Sequence, residues 1–68
     1  MFIYVVISVE DYGNTNRDYE VFTDYDKALS FAKEDRESGN YDYVDVKTFE
    51  SQRDGKYTET TSVRLSAD

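Results

Sequence analysis

The sequence predicts one α+β domain spanning residues 1–68, a four-stranded antiparallel sheet in the order 2-1-3-4 with one helix on one face, the elements running β-β-α-β-β. Three observations predict it. Phe2-Ile3-Tyr4-Val5-Val6-Ile7-Ser8-Val9 is dominated by β-branched and aromatic residues, with nothing to bend the backbone. Tyr25, Ala28, Leu29 and Ala32 recur at helical spacing. Asp54-Gly55 separates two stretches that alternate with a period of two, a strong short-range hairpin signal.

The first strand is apolar on both faces: Ile3, Val5, Ile7 and Val9 point one way, Phe2, Tyr4, Val6 and Ser8 the other. Glu10 to Arg17 is polar and contains Tyr12-Gly13-Asn14, which reads as a turn. Asp18-Tyr19-Glu20-Val21-Phe22 reads as a short second strand, its two acids suiting a sheet edge. A helix is expected from Asp24 to about Ser38. Thr23 would cap it, with Asp26 three residues on in the manner of a capping box, and Gly39 would end it. Two alanines on the inner stripe let it sit close to a sheet, with Phe31 at the flank.

Tyr41 to Glu50 and Lys56 to Leu65 read as the last two strands. A two-residue Asp54-Gly55 turn pairs Arg53 with Lys56, Thr48 with Thr61, Val46 with Val63 and Val44 with Leu65. It also sets Asp45 opposite Arg64, Lys47 opposite Ser62 and Phe49 opposite Thr60. A right-handed crossover through the helix places the first strand between the second and third. Its more apolar set, Ile3, Val5, Ile7 and Val9, is assigned to the core with Val44, Val46, Val63, Leu65 and the helix. Phe2, Tyr4, Val6, Tyr43 and Phe49 are left on an uncovered face suited to self-association, so Tyr4→Glu or Val6→Glu is expected to harm association more than folding. The residues after Leu65 read as frayed.

Sixty-eight residues hold one modest core, worth about 3–5 kcal/mol net without a staple. There is no Cys and no His, which removes disulfides, thiolate metal sites and the usual imidazole ligand or base. No apolar run approaches the roughly 20 residues of a membrane span. The first strand starts at Met1 with no basic flank, so no signal peptide is expected, and cytoplasmic location is the expectation. Fifteen acidic and eight basic residues give a formal net charge of −7, which disfavours nucleic acid and anionic membranes as direct partners and favours basic ones.

No stretch carries catalytic chemistry: the acids are scattered, Ser and Thr have no marked base, and the three glycines stand alone. Asp11, Gly13 and Thr15 lack the acid spacing and terminal Glu of a calcium loop. No catalytic, cofactor or metal residues are assigned. Aromatic rings beside Lys47 and Arg64 could serve as a base-stacking platform, but Asp42, Asp45 and Glu50 surround those cations. The aromatics therefore point to a protein contact, in which tyrosine is enriched. The acids have two readings, a solvating surface or a mimic of a phosphate backbone. Candidates for contact with a basic partner are Asp24, Asp26, Glu34, Asp35 and Glu37 on the helix, with Asp11 and Glu20 near the first hairpin, and Lys27, Lys33 and Arg36 interrupting the helical set.

Ile3-Tyr4-Val5-Val6, then Val21-Phe22-Thr23 leading into Asp26-Lys27-Ala28-Leu29-Ser30-Phe31-Ala32, resembles a pattern of small phage-encoded accessory proteins. The likeness covers about half the chain and consists mostly of what a β-β-α unit needs. It implies an early protein of the bacterial host cytoplasm, many of which bind and inhibit host proteins. The expected function is thus non-enzymatic: an acidic binding module acting as inhibitor or modulator of a host nucleic-acid-handling or defence protein. The alternative is a homodimeric structural or regulatory module associating through its open sheet face.

Overall fold

The computed structural model describes residues 1–12 and 14–66, with side chains for 1–10 and 17–66. Its elements are β1 (Phe2–Tyr12), β2 (Asn14–Phe22), α1 (Tyr25–Glu37), β3 (Tyr43–Ser51) and β4 (Tyr57–Ser66). All neighbouring strands are antiparallel, and the sheet order is β2-β1-β3-β4. The chain is α+β, as expected, with the apolar first strand at the centre. The stretch read as a loop from Glu10 to Arg17 is instead strand on both sides, with Glu10 opposite Asn16 and Tyr12 opposite Asn14. Polar residues are tolerated there because β-ladder hydrogen bonds do not require a buried face. Ser66, expected to fray, is instead the last residue of β4, paired with Tyr43, while Gly13 of the expected turn, the side chain of Asp11, and Ala67 and Asp68 lie outside the described residues.

The helix starts one residue later than Thr23 capping would give. Asp24 is extended, and its Oδ1 accepts from the backbone N–H of Asp26 at 2.9 Å and of Lys27 at 3.4 Å. Asp at this position both satisfies orphan donors and complements the helix dipole, so the cap belongs to Asp24 rather than to a Thr23–Asp26 box. Gly39, at φ +78°, ends the helix in the left-handed region.

The core cluster consists of Val6, Val44 and Val46 on the sheet and Ala28 and Ala32 on α1, and Val9, expected in the core, is also buried, at 3% exposure, though outside that cluster. Tyr4, Phe22, Phe31, Tyr41 and Leu65 pack against it. Tyr4 meets the Tyr25 ring edge-on, centroids 5.4 Å apart, and Phe22 meets Phe31 at 5.3 Å. This corrects the assignment of the faces of β1. The helix covers Tyr4, Val6 and Ser8, and Ile3, Val5 and Ile7 lie on the side without it. Register is the reason: Val6 pairs with Val46 and Ser8 with Val44, so the even residues of β1 share a face with the even residues of β3. The hairpin pairs Val44–Leu65, Val46–Val63, Thr48–Thr61, Lys47–Ser62 and Asp45–Arg64 stand as expected. Val63, expected in the core, is 42% exposed because β4 is an edge strand beyond the reach of the helix stripe.

The β3–β4 turn differs from the two-residue form. Gly55 N–H donates to Gln52 O (3.1 Å) and Gln52 N–H to Lys56 O (2.7 Å), which makes Arg53-Asp54-Gly55 a three-residue loop with Gly55 at φ +83°. Arg53 therefore does not pair with Lys56. Near the turn Phe49 faces Glu59 rather than Thr60, and a register shift between Thr48 and Phe49 leaves Thr60 as the extra residue, restoring the expected pairs beyond it.

Candidate functional site

The side of the sheet away from α1 is built from the odd residues of β1 and β3. Three rows of neighbours cross it. One contains Ile3, Phe49 and Glu59, the next Val21, Val5, Lys47 and Ser62, and the third Tyr19, Ile7, Asp45 and Arg64. Val21 is 59% exposed and Tyr19 60% exposed, while Ile3, Val5, Ile7 and Phe49 are half-buried only by their neighbours in the sheet. These side chains form an apolar patch bordered by Lys47, Asp45 and Arg64 on the neighbouring strands.

The charges on this face are ordered. Asp45 is buried beneath Arg64, which donates to it twice, Nε to Oδ1 at 2.8 Å and Nη2 to Oδ2 at 3.0 Å. The same guanidinium lies 4.1 Å from the centroid of the Tyr43 ring. Hydrogen bonding to Asp45, then the charge of Asp45, raise the Arg64 pKa above its ordinary value, so the cation is permanent. Lys47 Nζ pairs with Glu59 Oε1 at 3.6 Å. Arg17, Lys47 and Arg64 set around Ile7, Tyr19 and Tyr43 form a polar depression of about 270 Å³. Among the described side chains this face has three cations against two carboxylates, in a chain of formal net charge −7.

The residues expected on an open face are split. Tyr43 and Phe49 are on the helix-free face. Val6 is 1% exposed in the core and Tyr4 lies under the helix, so neither is available for association; Phe2 is on their side of the strand and exposed. Sequence reasoning missed Ile3, Val5, Ile7, Tyr19 and Val21. A usable signal was Phe22: it directly precedes the helix that must cover it, and it pairs with Tyr4, which ties the even face of β1 to the helix.

The acidic candidates are on the other side. Asp26, Glu34 and Glu37 are exposed on α1, and Asp24 is engaged as the cap. Glu20 lines an open cleft of about 340 Å³ between β2 and α1, together with Asp18, Asp35, Phe31 and Tyr41. Two of its carboxylates have partners, since Tyr41 Oη donates to Asp18 Oδ2 at 2.7 Å and Ser8 Oγ to Asp35 Oδ2 at 2.6 Å. The hydrogen bond to Asp18, then partial burial, then the charges of Asp18, Asp35 and Glu10 push the Tyr41 pKa up to about 12. Among the described residues there is no group of acids placed to hold a metal ion, and no helix long and apolar enough to cross a membrane.

Comparison with known protein families, with curated proteins and with solved structures finds no match.

Proposed function

We propose that this chain is a protein-binding module without enzymatic chemistry, an inhibitor or modulator that docks through the helix-free face of its sheet. One observation carries the reading: the most apolar set of the most apolar strand, Ile3, Val5 and Ile7, is turned away from the helix, beside exposed Val21 and Tyr19. Burying a half-exposed Val or Ile contributes about 25 cal/mol per Å² of apolar surface removed from water, so another protein gains by covering this face. Tyrosine and arginine at its margin suit such a contact.

A second reading has its own observation. Asp18, Glu20 and Asp35 beside the rings of Phe31 and Tyr41 would receive a cationic side chain, which fits a basic, nucleic-acid-handling partner in a bacterial cytoplasm. Lys27 and Lys33, exposed among the helix acids, oppose an extended phosphate mimic. Affinity capture from bacterial lysate with Val5→Glu and Glu20→Lys as paired baits separates the two. Capture that survives high salt and is lost with Val5→Glu supports the sheet face. Capture that collapses in salt and with Glu20→Lys alone overturns it in favour of the acidic cleft.

A further inference from the structure

Resting on that reading, we propose that, while no other protein holds it, the helix-free face is covered by a second copy of this chain, the two sheets packing face to face about a two-fold axis that crosses the strands at the row of Val5, Lys47 and Ser62. The registers make the β1 and β4 positions of this face complementary to themselves about that line, while on β3 Phe49 comes against Asp45, whose charge stays paired with Arg64. Glu59 and Arg64 lie on β4 in the rows on either side of Ser62, and Ile3 and Ile7 lie on β1 on either side of Val5. Turning one copy over about the axis sets Glu59 against Arg64 of the other copy, twice, and Ile3 against Ile7, twice. Val5 and Val21 meet their own counterparts. Lys47 also meets Lys47, each arriving with its charge countered by Glu59 at 3.6 Å. Such reciprocity is what a closed isologous contact requires.

Charge selects the same face. Two chains of net charge −7 repel where acids dominate, and the helix side presents Asp18, Glu20, Asp26, Glu34 and Glu37. Among the described side chains the helix-free face sets Arg17, Lys47 and Arg64 against Asp45 and Glu59, so that two copies approach there without that repulsion. The area is of the right size. Four strands about 4.8 Å apart and about seven residues deep make a face of roughly 450 Å² in projection. Side-chain relief raises the accessible area toward the roughly 800 Å² per partner of a standard interface. The chain's accessible surface, 4850 Å², exceeds the roughly 4450 Å² expected of a folded 8.0 kDa monomer, as a flat two-layer domain with one bare side should.

The test is the mass in solution of the whole chain and of three variants, each checked for folding by circular dichroism. The wild type is expected at twice 8.0 kDa. Val5→Glu, which puts two carboxylates on the axis, is expected at the monomer mass with its fold intact. Glu59→Arg sets like charges together twice and is expected to weaken dimerisation at least tenfold, whereas Glu50→Arg, the same charge change on the other face, leaves it unchanged. A wild type that stays monomeric at about 100 µM, a hundred times a Kd of about 1 µM, overturns the proposal. So does a dimer that persists in folded Val5→Glu, which would place the contact at a sheet edge. Uptake of the apolar dye ANS separates this failure from failure of the broader reading. A monomer that binds dye through this face, and loses it in Val5→Glu, keeps a protein-docking face without self-association. A monomer that binds none overturns both.

Discussion

The Ser8 hydroxyl donates to Asp35 Oδ2 at 2.6 Å, joining the central strand to the helix that covers it. Ser8 is 1% exposed, so its hydroxyl has no water to turn to if the carboxylate is removed. Ser8→Ala is expected to lower stability by about 1–2 kcal/mol, a fall in Tm of several degrees in a domain this small. Asp35→Ala should cost a similar amount, and the double variant little more than either, because both remove one interaction. Urea unfolding of the four proteins checks this. Additive losses would show that Ser8 and Asp35 act separately.

The two valines at the centre of β1 should respond in opposite ways to the same substitution. Val6 lies between Val46 and the helix alanines, and a carboxylate there loses its water without gaining a partner. Against a net stability of about 3–5 kcal/mol, Val6→Glu is expected to leave the chain unfolded. Val5→Glu should stay folded, since Val5 faces away from the helix. Amide NMR spectra of the two variants decide it. A folded Val6→Glu and an unfolded Val5→Glu would restore the face assignment that polarity alone suggests.

That reversal shows how far the sequence could be read. A helix with its glycine stop, and a hairpin closed by a short turn, depend on neighbours in the chain, so α1, though not its capping residue, and most pairs of β3 with β4 were legible, Asp45 with Arg64 included. The register of β1 against β3 depends on no turn, because the helix intervenes, and both faces of β1 are apolar enough to be covered. Ranking the faces by polarity then failed on Ser8, whose hydroxyl is satisfied by a helix carboxylate rather than by solvent. The candidate site was legible only in kind. An uncovered sheet face with Tyr43 and Phe49 on it was foreseen, while its centre was assigned to the wrong side of one strand. Asp-Gly likewise announces a turn without stating its length. A three-residue loop and the extra residue Thr60 offset one another, so the distant pairs match a two-residue turn although the near ones do not.

Gly55 is the residue on which that loop depends. Its φ of +83° is left-handed, and a side chain there would meet nothing within 4 Å, so the cost of substitution lies in the backbone alone. Gly55→Ala is expected to destabilise by about 1–2 kcal/mol, and Gly55→Asn by less, since Asn tolerates this conformation. Urea midpoints of the two variants provide the measurement. An alanine as well tolerated as asparagine would mean that the loop adopts a turn without the left-handed residue.

Alkaline pH should reach the fold through Tyr41. Its hydroxyl donates to Asp18 Oδ2, linking β2 to the segment that follows the helix, and that bond is lost when the phenol ionises. The hydrogen bond, partial burial and the nearby carboxylates push the folded-state pKa up to about 12, against 10.0 for a free tyrosine. The folded chain therefore holds this proton more tightly than the unfolded chain. The stabilisation is fully present below pH 10 and disappears as pH rises toward 12. Tyr41→Phe lacks it throughout, so the stability gap between wild type and variant should be constant up to about pH 10 and close above it. Urea unfolding of the pair across that range checks the prediction. A gap that stays constant to pH 12 would show that the Tyr41 proton is not held by the fold.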